Sequence, residues 1–182
     1  MLFFNVDHIE KELLQQSREA SSRFFLASAA MCEVFAHLEN GDVAKAGDSA
    51  RRAAEHFEGA ADSFRRLALS IDTQYPWVNN TVRDVSFNEA AQGVHLSPDL
   101  GVVKEVTLRL VRGELSGVLL SCAIDISHLA ERLRALSSRV LGSTVLDVEY
   151  NEAHLMMGNW RTLVTRGQYV SSVCLISMRV TV

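Results

Sequence analysis

Carboxylate and imidazole side chains a helical turn apart are the raw material of a metal site between facing helices, and this chain offers two such pairs, Glu33 with His37 and Asp125 with His128. Glu152 and His154 form a third, tighter pair. None is the Glu-x-x-His step by which helical bundles hold metals. Asp125 and His128 continue along one flank to Arg132, which an exposed ladder of ion pairs explains as well as a metal does. Cysteine adds no zinc spacing. Cys32, Cys122 and Cys174 are odd in number, far apart and set among apolar neighbours, so they read as small core residues of a reducing cytoplasm.

Arg51 and His56 define a second kind of candidate site, an Arg-x4-His step that occurs once. This spacing resembles that of HEPN, a class of helical ribonucleases, and the resemblance implies metal-independent RNA cleavage by these two residues. It covers those two positions only. Position 52 is Arg where that family has a small polar residue, and at this Arg and His content about half such a step arises by chance. The competing reading is of two exposed helix residues. No Gly-x-Ser-x-Gly elbow, Gly-x-x-x-x-Gly-Lys loop or Gly-x-Gly-x-x-Gly turn is present. The motifs therefore weigh against an enzyme, and no cofactor is expected.

The elements that would position these residues are helices. With 182 residues, 48% hydrophobic and only 2 Pro and 10 Gly, the chain has the makings of a single globular domain over 1–182. From 7 to 40 the positions Ile9, Leu13, Ala20, Phe24, Ala27, Met31, Val34 and Leu38 follow steps of three and four, which predicts an amphipathic helix. Asn40-Gly41 closes it and Asp42 caps the next. The second helix, 42 to 71, carries a heptad seam: Val43, Ala50, Phe57, Phe64 and Ile71, with Ala46, Ala53, Ala60 and Leu67 between them. Its natural partner is the first helix, in a coiled-coil hairpin. Asp48 before Arg51 and Arg52, and Asp62 before Arg65 and Arg66, predict ion pairs that make the arginine stripe a solvated face rather than an anion site.

A third helix, 98 to 141, opens on Ser97-Pro98 and holds two apolar stripes out of register, which predicts a bend near Gly113 or Gly117. Ser86-x-x-Glu89 marks a short helix in the long 72 to 98 connection. A fourth helix, 144 to 181, loses its amphipathic pattern after Gln168. Residues 170–182 alternate well enough to be read as a strand too, but a strand needs a partner and only Leu2-Phe3-Phe4 or another copy of the chain is available, so a helix is expected. The expected fold is an all-α, antiparallel four-helix bundle with a short extra helix between the second and third.

Function follows from what this bundle leaves over. Apolar residues all round the last segment, Val170, Val173, Leu175, Ile176 and Val180 among them, and the aromatic pair Tyr75 and Trp77 in the long connection point to a protein-interaction module, an adaptor, scaffold or assembly subunit that self-associates or binds a protein partner. Net charge is −4 despite fifteen Arg against three Lys, so nucleic acid is not an expected partner. The longest uncharged, mostly apolar runs, 115–124 and 168–178, fall short of the roughly 18 residues a membrane helix needs. With no charged n-region and apolar h-region at the start, a cytoplasmic location is expected.

Overall fold

The computed structural model describes residues 6–81 and 100–142, together with Thr162, Arg166, Gly167, Tyr169, Val170 and Val173. Every element among them is an α-helix, and no strand occurs among the described residues. In chain order these are α1 (Val6–Glu39), α2 (Val43–Gln74), α3 (Val78–Thr81), α4 (Leu100–Val111) and α5 (Leu115–Gly142). No helix of the described residues is long and apolar enough to cross a membrane.

Two glycines make the corners, and they do so in the same way. Gly41 (φ +72°) and Gly113 (φ +81°) both take the left-handed conformation that a β-carbon disfavours. At the first corner Gly41 N–H donates to Leu38 O at 3.1 Å and Asp42 N–H to His37 O at 2.9 Å. At the second, Gly113 N–H donates to Leu110 O at 3.0 Å and Glu114 N–H to Arg109 O at 3.2 Å. Each pair of bonds satisfies two of the carbonyls a helix end leaves open. Asp42 then caps α2, its carboxylate accepting from Lys45 N–H at 3.2 Å. The bend expected in a helix over 98–141 is thus a full break: α4 ends at Val111 and α5 starts at Leu115.

The middle of the molecule is α2, which packs against both α1 and α5 while those two hardly meet. Contacts fix the directions. Along α1 and α2, Arg52 reaches Glu33, Arg23 reaches the Gly59 carbonyl, and Phe24 meets Phe57 and Phe64. Along α2 and α5, Ser137 donates to Gly47 O, Arg134 pairs with Glu58, Arg65 donates to Ser127, and Ser116 donates to Asp72. In both sets positions rise on one helix as they fall on the other, so both pairings are antiparallel. The seam expected on α2 is buried except at half-buried Val43, and a further row is buried beside it: Gly47, Ala54, Ala61 and Ala68, again seven apart. This row runs down the α5 side, where Gly47 accepts from Ser137 at 2.9 Å.

The core is filled by rings and closed by a late piece of sequence. Phe24 stands edge-on to Phe57 and stacked on Phe64, with ring centroids 6.0 Å apart in each case. Against the same ring lies Gly167, where an added β-carbon would come within 2.5 to 2.9 Å of three Phe24 ring carbons. The hydroxyls of Tyr169 and Thr107 are 2.6 Å apart, and Arg166 pairs with Asp125 at 2.9 Å and Glu105 at 3.6 Å. All six described positions between 162 and 173 have helical backbone, in keeping with the helix expected there. The helix expected after Ser86 lies outside the described residues; α3 is a separate single turn.

Gly167→Ala is therefore a clean test of this packing. Helix propensity alone favours alanine by about 1 kcal/mol, whereas displacing a ring locked between two others costs about 1–3 kcal/mol. The expected outcome is a net loss of stability, seen as a lower Tm by circular dichroism. Combined with Phe24→Leu, which is itself destabilising, the total loss should fall short of the sum of the two single losses, since both substitutions act on one contact.

Candidate functional site

Arg51 and His56 both sit exposed on α2. Five residues along an α-helix turn the side chains roughly 140° apart, so the two leave the helix in different directions. Arg51 donates to Glu55 at 3.1 Å rather than to Asp48, the partner its spacing suggested. Arg52 reaches across to Glu33 at 2.9 Å and also donates to Ser49 at 3.1 Å. Arg65 keeps its expected pair with Asp62 at 2.9 Å and in addition donates to Ser127 at 2.5 Å. Of the arginine stripe, Arg52 and Arg65 thus reach the two flanking helices and work as cross-bracing, while Arg51 stays on its own helix.

That bracing consumes the carboxylates proposed for a metal. Glu33 is engaged by Arg52, while its companion His37 lies over a shallow hollow with Lys45, Asp48 and Ser49 near the first corner. Asp125 is engaged by Arg166, and His128 is exposed. Among the described residues no three His, Cys, Asp or Glu side chains converge on one point. Glu152 and His154 lie outside those residues. Arg166 is the most enclosed cation of the ion pairs, with 19% of its side chain exposed, and it is held from two helices by Asp125 and Glu105. Cys122 lies nearby on α5, and burial pushes its thiol up to about 12 against the pull of Arg166.

The residues expected at an interface separate into three groups. Trp77 is on the surface, 41% exposed, whereas Tyr75 is buried and packs into the core. Val170 and Val173 are fully buried within the chain's own core, which corrects their expected place on a contact surface. Leu175, Ile176 and Val180 lie outside the described residues.

Besides Trp77, the exposed large apolar side chains among the described residues are Phe25 and Leu26 on α1, Leu108 and Val111 on α4, and three that sequence reasoning missed and that share one groove. Leu69 on α2 is 62% exposed, and Leu120 and Ile124 on α5 are 40% and 52% exposed. The bonds from Ser116 to Asp72 and from Arg65 to Ser127 bracket them, so the antiparallel register sets Leu69 level with Leu120 and Ile124 on the outer edge of one groove. Trp77 lies at the same end of the molecule, because Asn79, two residues on, accepts from Ser116 N–H at 3.0 Å in the first turn of α5. The signal in the sequence is slight. Leu120 and Ile124 stand one turn apart but off the seam of Leu119, Cys122, Ile126 and Leu129, and Leu69 stands off both buried rows of α2.

Comparison of the chain with protein-family models, curated proteins and solved structures finds no match.

The thiols supply a check on this geometry. Cys32 is exposed and Cys122 is buried. In the native protein at pH 8, iodoacetamide should modify Cys32, slowly because partial burial raises its thiol as well, and leave Cys122 intact, as read by peptide mass spectrometry. Because the folded Cys122 pKa lies above the ordinary 9.0, stability from this group is complete below pH 9 and falls as pH rises toward 12. Thermal melts across that interval should show the decline, reduced in Cys122→Ala.

Proposed function

We propose that the chain is a protein-interaction module that self-associates, built as an antiparallel four-helix bundle. Its four arms would be α1, α2, the α4 and α5 pair, and the segment that contains Tyr169, Val170 and Val173, with α3 as the short extra turn between the second and third. The observation that supports the interaction reading is the exposed row of Leu69, Leu120 and Ile124 in the α2–α5 groove, with Trp77 at its end. Apolar side chains grouped on one edge gain free energy when a second surface covers them, about 25 cal/mol per Å² removed from water. A Trp at the end of such a row suits an interface anchor. The ribonuclease reading is weaker on this geometry, since Arg51 and His56 diverge and Arg51 is tied to Glu55. A metal-binding bundle is weaker for the same kind of reason, its carboxylates being held by Arg52 and Arg166.

Light scattering on the purified chain tests the proposal. The expected result is a dimer or larger assembly that Leu120→Asp with Ile124→Asp reduces to monomer while helicity is kept. Substitutions at exposed positions cost within about 0.5 kcal/mol each, so Tm should change little. A wild-type monomer overturns self-association. Metal-free RNA cleavage abolished by His56→Ala, with the fold intact, would replace the interaction reading with the enzyme one.

A further inference from the structure

The groove between the first half of α1 and the second half of α2 holds a cleft of about 290 Å³, lined among the described residues by Glu12, Gln15, Gln16, Glu19, Ser63 and Arg66. This groove is not the α2–α5 groove that carries the apolar row. Two of its lining residues present buried polar atoms with no hydrogen-bond partner, Gln16 Oε1 and Ser63 Oγ. Ser63 is 5% exposed, so its hydroxyl has been taken from water without a replacement. Such groups are rare in native proteins, because a buried donor or acceptor left unpaired is costly. Two on one cleft mark a place where a ligand's polar atoms would be welcome.

The charges around them narrow what that ligand is. Glu19 is already engaged by Arg23 at 2.7 Å. Glu12 and Arg66 carry no ion pair among the described residues, with each other or with a third group, although both line the cleft. One free carboxylate and one free guanidinium therefore face the same space. A simple cation there meets Arg66, and a simple anion meets Glu12, so a ligand of single charge is repelled by one wall. Gln16 Oε1 can only accept a hydrogen bond, whereas the Ser63 hydroxyl can donate one. The volume sits at the small end of ligand pockets, about 300–1,000 Å³, which favours a compact molecule.

We propose that this cleft binds a small zwitterion of the free α-amino-acid class, its ammonium facing Glu12 and Gln16 Oε1 and its carboxylate facing Arg66 and the Ser63 hydroxyl. The guanidinium fork matches a carboxylate in two parallel bonds, which makes Arg66 the residue on which recognition turns.

The test uses the full chain labelled with nitrogen-15 and titrated with each of the twenty free amino acids, with putrescine as the cation-only probe and sodium acetate as the anion-only probe. At least one amino acid should produce saturable shifts at the amides of Gln16 and Ser63, while putrescine and acetate at equal concentration produce none. Arg66→Ala and Glu12→Gln should each weaken binding tenfold or more, with Arg66→Lys recovering part. Both residues are exposed, and circular dichroism of the variants checks that the helices are retained. The absence of saturable shifts from any amino acid overturns the proposal. So does an equal response to putrescine or acetate, or an affinity unchanged in both Arg66→Ala and Glu12→Gln.

Discussion

A helix that must be buried on two flanks has to be narrow, and the whole arrangement rests on how α2 meets that demand. Its buried positions are Ala46, Gly47, Ser49, Ala50, Ala53, Ala54, Ala60, Ala61, Ser63 and Ala68, interrupted by only a few larger side chains. Small residues let the axes approach toward the low end of the usual separation of about 8–10 Å, at which distance the partner helix's own side chains fill the remaining space. The bulk then concentrates in one layer, where Phe57 and Phe64 meet Phe24. A larger side chain in place of one of these buried Ala, Gly or Ser residues forces a partner outward and opens that layer.

Charged residues do a different job on the same helices. Arg52 to Glu33, Arg134 to Glu58 and Arg65 to Ser127 lie on the surface above the two grooves, where each contributes little stability because water competes for both partners. What they fix is register. A slide of α5 along α2 by two turns would leave the Ala and Gly row still buried, since small residues recur every seven, but it would part Arg134 from Glu58, Ser116 from Asp72 and Ser137 from the Gly47 carbonyl together. Repetitive packing specifies closeness, and the polar contacts specify alignment. The enclosed Arg166 extends the same logic to the last described segment, held between Glu105 on α4 and Asp125 on α5.

The helices were legible in the sequence because period and capping agree at each of them. Gly41 and Asp42 close one helix and open the next as read, and the out-of-phase stripes before and after Gly113 announced the break there. The second buried flank of α2 is harder to read. The row Gly47, Ala54, Ala61 and Ala68 is as regular as the Phe-bearing seam, yet alanine is a good helix former on any face, so its burial leaves a weaker mark than that of phenylalanine. Val170 and Val173 belong to a segment that is apolar all round, a pattern that burial in the chain's own core and burial at an interface produce alike. The ion pair of Arg51 went astray for a local reason, since Asp48 and Glu55 stand three residues before and four residues after it and only side-chain packing chooses between them.

The two flanks of α2 also differ in when they can be covered. Its contacts named above with α1 join residues 19 to 40 apart through a tight corner, whereas those with α5 join residues 44 to 90 apart. A growing chain emerging from the ribosome therefore completes the α1–α2 hairpin while α5 has yet to be synthesised, and closing the longer loops comes later. Through that interval the α5-facing flank of α2 is bare. Made of Gly47, Ala54, Ala61 and Ala68 rather than leucines, it offers neighbouring chains little apolar area to grip, so the residues that let the finished helices sit close also keep the half-made protein from sticking to its neighbours.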